Sequence, residues 1–293
     1  MTTVASGPAV ATRSVLARLA LLETRRYARH PLFLLGAVAT LALLFFGPPD
    51  KRASVYFDPI VPAAALGVLG LVAMAGMARN ASTLHRSAGA SPVPERVQTG
   101  ALAIACLLPF AVGLVWFAGT VVKAGQNPPS PDGFPFGDVS ATWKLAILFG
   151  EGAMATLGGP LLGVLIGRWW PRRGVAPITA VLLVTAVILM QGLFEPLRSV
   201  RVLMPFTYWG GPGGVDGDTN RMLVMTGSPQ WWVAYLVCLC GLAVVGALWH
   251  DPGARTPRLR AAGVVLLLAA VATCLLAMFT GVGETIVNPL PSP

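Results

Sequence analysis

Long, continuously apolar stretches alternate with short polar segments along this chain. Seven of them are long enough to cross the roughly 30 Å hydrocarbon core of a bilayer as helices, which takes about 17–25 residues. Barrel strands would instead alternate apolar and polar positions. The stretches cover residues 31–47, 60–77, 99–122, 143–167, 175–193, 231–248 and 261–282. This pattern predicts an all-α, polytopic membrane helix bundle.

The composition agrees with a membrane protein, and the charges predict its orientation. Charged residues make up 11% of the chain, against about 25% in a soluble domain. Fourteen arginines precede the first stretch or cluster around the gaps after the second, fourth and sixth, and the other seven basic residues are spread over longer segments. The net charge of +9 therefore follows the positive-inside rule rather than indicating nucleic-acid binding. It predicts a cytoplasmic N-terminus and, after seven crossings, an exterior C-terminus.

The segment before the first stretch has the pattern of an amphipathic helix over Ser14–Arg29. Its apolar positions are Val15, Leu16, Leu19 and Leu22, and its basic positions are Arg18, Arg25, Arg26 and Arg29. Such a helix would lie on the cytoplasmic surface of the membrane. His30-Pro31 should end it, because a proline begins a helix in a new direction. A plain helical extension of the first stretch is the alternative.

The predicted outer segments and the tryptophans add detail to this topology. Residues 123–142 are rich in proline and should form an exposed loop. The apolar run Val202–Trp209, followed by the glycine cluster 210–214, predicts a short re-entrant or interfacial helix. Tryptophans prefer the membrane boundary, where we expect Trp143, Trp231 and Trp232 on the outer side and Trp169, Trp170 and Trp249 on the inner side. Trp116 lies in mid-span and requires a packing explanation.

One predicted span carries both an acid and a glycine repeat. Glu151 lies deep in the fourth stretch, where an ionised carboxylate costs about 2–4 kcal/mol. It is a candidate intramembrane polar site, with an interhelical hydrogen bond as the structural alternative. The repeat of Gly159, Gly163 and Gly167 predicts a close helix contact. Gly158, seven residues after Glu151, should share its helical face.

The sequence gives no signal for a cofactor, a metal or catalysis. The glycine cluster 210–214 lacks the lysine and Ser/Thr of a phosphate-binding loop. His30, His85 and His250 each stand alone, without the spacing of metal ligands. The four cysteines all lie in apolar stretches and are interpreted as small hydrophobic residues. We therefore predict a protein that is not an enzyme.

The chain resembles the permease subunits of type-2 ATP-binding cassette exporters. The stretch Leu22–Pro31 looks like the elbow helix that leads into the first span of that family. The segment Ser91–Arg96, at the end of the polar loop 78–98, is similar to its coupling loop, and the outer stretch between the fifth and sixth spans to its re-entrant helices. The resemblance covers most of residues 14–249. The family usually has six spans, so residues 261–282 would be an additional seventh.

This resemblance implies an organisation and a set of partners. Residues 1–30 would form a cytoplasmic tail and elbow helix, 31–249 a six-span permease domain, 250–260 a cytoplasmic loop, and 261–293 an extra span with an outer tail. A separate ATPase subunit would bind ATP and dock on the loop, and a second permease subunit would complete the transporter in the lipid bilayer of a bacterial plasma membrane. The candidate docking residues are Arg86, Glu95 and Arg96, and the candidate elbow residues are Glu23, Arg25 and Arg26.

The expected activity is outward movement of an amphipathic or lipophilic substrate. Two other classes of function stay open. One is a proton-coupled transporter that uses Glu151, and the other is a membrane scaffold or sensor whose helices position a partner. In the polar loop, an ordinary charged turn is the alternative to a docking site.

Overall fold

A computed structural model describes residues 9–46, 60–87, 93–126, 140–190, 201–204, 213–215, 218–224, 227–281 and 285–287. The fold is predominantly helical, as predicted, and every predicted apolar stretch coincides with a helix. Among these described residues, five helices are long and apolar enough to cross a membrane, and the bent pair at the N-terminus would make a sixth. The fifth predicted span is shorter, with 14 helical residues. The chain is therefore a multi-pass membrane helix bundle.

The helices of the described residues are numbered along the chain. They are α1 (Ala9–Ala28), α2 (Pro31–Phe46), α3 (Ile60–Pro62, a π-helical segment Ala63–Val68, and Leu69–Ser87), α4 (Glu95–Ala105 and Leu107–Gln126), α5 (Ala141–Leu148, a π-helical segment Phe149–Met154, and Ala155–Trp169), α6 (Val175–Ile188), α7 (Pro229–Trp249) and α8 (Pro257–Phe279). Short 3₁₀ turns cover Arg201–Leu203 and Pro252–Ala254.

The N-terminal helix α1 ends where the His30-Pro31 break predicts, and its axis is bent by 68° from that of α2. It packs against the first part of α4, Glu95–Ala105. The predicted apolar stripe is split between two faces. Leu16 and Leu19 are half-buried toward the bundle, whereas Val15 and Leu22 are exposed. The buried face is completed instead by Ala20 and Tyr27.

The glycine repeat of α5 forms a close contact with α3, which confirms that prediction. A Cβ atom on Gly159, Gly163 or Gly167 would overlap the backbone of α3, at Gly67, Leu71 and Ala75 in that order. Because both sets of numbers rise together, the two helices run parallel along this seam. Parallel packing fits the predicted topology, in which the second and fourth spans cross in the same direction.

Gly158 faces α7 and is not part of the seam with α3. A Cβ on Gly158 would meet the sulfur of Cys240 in α7 at 3.6 Å, away from the seam with α3. The π-helical segment Phe149–Met154 precedes this glycine and contains Glu151. A π turn bonds residue i to i+5 and so holds one more residue than an α turn, so a spacing of seven residues no longer returns to the same face.

A small antiparallel sheet follows the segment in which the sequence predicts a short outer helix. Its strands are β1 (Gly213–Val215), β2 (Asp218–Val224) and β3 (Thr285–Val287), in the order β1-β2-β3. Residues 205–212, which include most of the predicted re-entrant segment, lie outside the described residues. The sheet is a small addition to the predicted helix bundle. Because β3 follows α8 and pairs with β2, the C-terminal segment lies at the same end of the bundle as the connection between α6 and α7.

Two of the six boundary tryptophans are core residues instead. Trp143 and Trp232 are buried and pack together with Ile147 and Leu236. Trp231, Trp169 and Trp170 are exposed to the extent expected of boundary anchors. Tryptophan therefore occurs in two settings in this bundle, at the predicted boundary and in the core, where its large apolar ring fills space between helices.

Candidate functional site

The described polar contacts between helices concentrate at the arginine-rich end of the bundle. Their centre is Arg168 in the last turn of α5, which is 1% exposed. Its Nη1 donates to the hydroxyl of Ser82 at 3.0 Å and lies 3.4 Å from Oε1 of Glu95. The glycine seam leads directly to this position, because Gly167 packs against Ala75 in the turn before. The close packing of α5 on α3 thus places the Arg168 guanidinium in the interior.

Glu95, the first residue of α4, connects two other helices. Its Oε1 atom accepts from Arg168 and lies 2.8 Å from Nδ1 of His250, just after α7. A carboxylate in the first turn of a helix is also stabilised by the helix dipole. The Glu95 side chain therefore joins the ends of α4, α5 and α7.

The next residue, Arg96, forms two hydrogen bonds to the loop after α7. Its backbone N–H donates to Oδ2 of Asp251 at 3.0 Å, and its Nη1 donates to the carbonyl of Gly253 at 2.9 Å. Asp251 also accepts from the Gly253 N–H at 2.8 Å, which holds the turn in shape. We call the set Ser82, Glu95, Arg96, Arg168, His250 and Asp251 the polar clamp.

The clamp balances a buried charge. An unpaired guanidinium in the interior would cost several kcal/mol, so it requires a counter-charge. Glu95 supplies the nearest one, and the carboxylates of Glu23 and Asp251 also act on Arg168. Glu23 lies on α1 and is 3.8 Å from Arg26. The N-terminal helix is thereby coupled electrostatically to the same centre.

Aromatic contacts border the clamp. Nε1 of Trp169 donates to the carbonyl of Gly246 at 2.8 Å, and its ring meets the His250 ring edge-on, with centroids 5.5 Å apart. Arg255 donates to the carbonyl of Trp249 at 3.0 Å. These bonds satisfy carbonyl groups near the end of α7, which would otherwise have no partner.

The structure brings some predicted site residues together and separates others. Glu95 and Arg96 both lie in the clamp. Glu23 is half-buried on α1, whereas Arg25 and Arg26 are exposed. Arg86 is at the end of α3, and its side chain lies outside the described part. The sequence interpretation missed the clamp roles of Ser82, Arg168, His250 and Asp251. A usable signal existed, because carboxylates are rare in this chain and each one near an arginine cluster needs a partner.

Glu151 lies in the middle of the bundle, 1% exposed and within the π-helical segment of α5. The glycines on either side admit large rings: Gly150 lies under Trp232, and Gly152 lies under Trp116. This contact is the packing explanation that Trp116 requires. Two tryptophans from different helices, α4 and α7, therefore pack on the glycines that flank the acid.

An apolar groove of about 300 Å³ lies between α5 and α7. Met154, Gly158 and Leu162 line it on one side, and Leu236 and Cys240 line it on the other. Met154 is the last residue of the π-helical segment that holds Glu151. The groove and the buried acid are therefore less than one helical turn apart along α5.

His30 forms the hinge between α1 and α2. Its Nδ1 accepts from the backbone N–H of Leu32 at 3.3 Å, so the side chain caps the first turn of α2. Partial burial and the nearby positive charge of Arg26 lower the pKa of His30 below its usual value. The neutral ring is the form that can act as this cap.

Comparison with known proteins gives no match to any family model, curated protein or solved structure. Within the described ranges, no group of three His, Cys, Asp or Glu side chains could hold a metal ion. What the arrangement offers physically is a polar junction in which four helix ends share one network of charges. Movement of one helix end would change the contacts of the others.

Proposed function

We propose that this chain is the membrane-spanning permease subunit of an ATP-binding cassette exporter in a bacterial plasma membrane. It has seven spans with a cytoplasmic N-terminus and moves an amphipathic or lipophilic substrate outward. A separate ATPase subunit binds ATP and supplies the energy, and a second permease subunit completes the pathway.

The observation that carries the proposal is the polar clamp and its link to α1. The N-terminal helix turns by 68° before the first span and packs against the start of α4. Residues at that same start, Glu95 and Arg96, bind the ends of α5 and α7. A push from a docked ATPase on this segment would therefore reach three spans at once.

The apolar groove supports the substrate class. It is lined mainly by aliphatic side chains and opens between two membrane-crossing helices. Such a surface fits hydrocarbon chains and offers few polar groups to select a particular molecule. A lipophilic or amphipathic cargo is the chemistry that agrees with it.

Affinity purification of the tagged chain in mild detergent tests the proposal. We expect an ATPase subunit to co-purify in stoichiometric amounts. Arg96→Glu should lower its recovery several-fold, because the exposed guanidinium becomes an acid while the backbone bond from Arg96 to Asp251 can persist. Arg258→Glu is the matched control, since Arg258 is also exposed at this end but is not part of the clamp.

Two results would contradict the proposal. One is purification with no stoichiometric ATPase, and the other is equal loss of the partner with Arg96→Glu and Arg258→Glu. Glu95 is less suitable for this test, because reversing its charge would place two like charges 3.4 Å apart at Arg168. Loss of the fold would then be mistaken for loss of docking.

The buried position of Glu151 favours a second candidate, a proton-coupled transporter. A buried acid in mid-bundle is the arrangement in which a proton can be held and released. Glu151→Gln keeps the shape and removes the titration. If transport depends on the proton gradient and is abolished by Glu151→Gln, the second candidate is correct. If transport depends on ATP and survives the change, the first is correct.

A further inference from the structure

A second cavity, of about 160 Å³, lies at the arginine-rich end on the other side of α5 from the apolar groove. It is formed by residues 72–79 of α3, the last turn of α5 with the residues after it, and the start of α6. Arg79 and Arg172 line it together with Trp170, Gly76 and Ala176. None of its described lining residues carries a carboxylate. Two arginines therefore line the same pocket.

We propose that this pocket binds the phosphate headgroup of an anionic phospholipid. Guanidinium groups recognise phosphate oxygens with a matched pair of N–H donors. The volume also fits, because a water molecule takes up about 30 Å³ in the liquid and a phosphate has five heavy atoms. Basic pockets between spans at the cytoplasmic boundary have the right position for lipid headgroups.

The surroundings favour a lipid over a free anion. Trp170 is 57% exposed beside the pocket, as expected of an indole at the headgroup level. Directly beyond the pocket, α6 presents Ile178, Val181 and Leu182, all at least 60% exposed. Acyl chains attached to the bound headgroup would lie along this apolar face. Soluble phosphate would gain nothing from it.

The absence of side chains at two glycines keeps the pocket open. A Cβ on Gly76 or on Gly174 would have no atom within 4 Å. Gly174 has φ = +93°, a backbone conformation that other residues rarely adopt, and it starts α6 without a side-chain cap. The first N–H groups of α6 thus add to the positive field, although the two arginines are what define the site.

Native mass spectrometry of the purified full chain tests the proposal. The detergent is doped with phosphatidylglycerol or phosphatidylcholine of the same acyl chains. We expect retention of phosphatidylglycerol over phosphatidylcholine. Arg172→Gln should lower phosphatidylglycerol occupancy about fivefold, which corresponds to about 1 kcal/mol for one arginine near the membrane surface. Arg79→Gln with Arg172→Gln should lower it further.

Arg173→Gln is the matched control, because Arg173 is the exposed neighbour of Arg172 and does not line the pocket. Equal retention of the two lipids, or an equal loss with Arg172→Gln and Arg173→Gln, would overturn the proposal. Displacement of the lipid by inorganic phosphate at the same concentration would overturn the lipid as occupant and indicate a small-anion site. The test needs no ATPase partner, so its outcome is independent of the proposed transport function.

Discussion

The helices α5 and α8 differ in how much of their surface is buried within the protein. In its most apolar window, α5 is 67% buried within the protein and α8 is 17% buried. The more hydrophobic of the two is nevertheless α8. Bulky aliphatic residues face outward on α8, whereas α5 uses glycines, a π-helical segment, Glu151 and Arg168 inside the bundle. Burial here follows small size and polar pairing, because lipid is as apolar as leucine and gives no hydrophobic reason to bury it.

The largest change in the free energy of unfolding should come from leaving the buried Arg168 of α5 without its counter-charge. Glu95→Ala removes the nearest counter-charge of Arg168 and should lower the free energy of unfolding by about 3 kcal/mol. Unfolding by SDS titration from mixed micelles measures this value. Replacing both residues by methionine should recover much of the loss, because no charge is left without a partner. A double variant as unstable as Glu95→Ala would contradict the role of the clamp.

The glycine seam should give the second largest effect. Gly163→Ala forces a Cβ into the carbonyl of Leu71 and should cost about 2 kcal/mol of unfolding free energy. Gly125→Ala is the matched control, because a Cβ there has no atom within 4 Å. Since alanine is the better helix former, the control should be neutral or stabilising by up to about 1 kcal/mol. Equal destabilisation of the two variants would mean that the seam is not close-packed.

The hinge at His30 should give a smaller, pH-dependent effect. Because the folded-state pKa is lowered, the unfolded chain takes up the proton first as the pH falls. Stability is therefore full above about pH 6.5, the usual histidine value, and declines as the pH falls below it toward the lowered folded pKa. The loss should be about 1 kcal/mol, the usual worth of a helix cap. His30→Asn, which keeps a cap but does not titrate, should unfold with no such pH dependence, as followed by thermal melts between pH 5 and 8.

Substitutions on the outer surface of α8 should change the free energy of unfolding least. Leu268 is 64% exposed, and its replacement by alanine should change the unfolding free energy by less than about 0.5 kcal/mol. Leu161 on α5 is 5% exposed, and the same replacement there should cost about 2 kcal/mol or more. Equal costs would indicate that another protein surface covers α8.

The sequence predicts the helices well, because a continuous apolar run of sufficient length has few other solutions in a membrane. It also locates the break at His30-Pro31 and the glycine seam, since each depends on local chemistry. The π-helical segment around Glu151 was not predictable in this way. It shifts the face of every later residue on α5, and no residue type marks it.

The clamp and the sheet depend on contacts between residues that are far apart in the sequence. Arg168 and Glu95 are 73 residues apart, and the positive-inside rule alone fully explained an arginine at that position. His250 looked isolated because its partner Glu95 is 155 residues away. The hairpin had a local signal, since Asp216-Gly217 separates β1 from β2 and is a sequence typical of two-residue hairpin turns. The adjacent glycine cluster obscures this signal, because glycines after an apolar run also indicate the end of a helix.

The proposed function requires that the arginine-rich end of the bundle faces the cytosol, where an ATPase could dock. Single cysteines at Arg173, Gln126 and Thr280, all exposed positions at helix ends, can be tested in intact cells with a membrane-impermeant thiol reagent. We predict labelling at positions 126 and 280 but not at position 173 until the cells are opened. Labelling of position 173 in intact cells, with protection of the other two, would contradict the topology and with it the proposed docking surface.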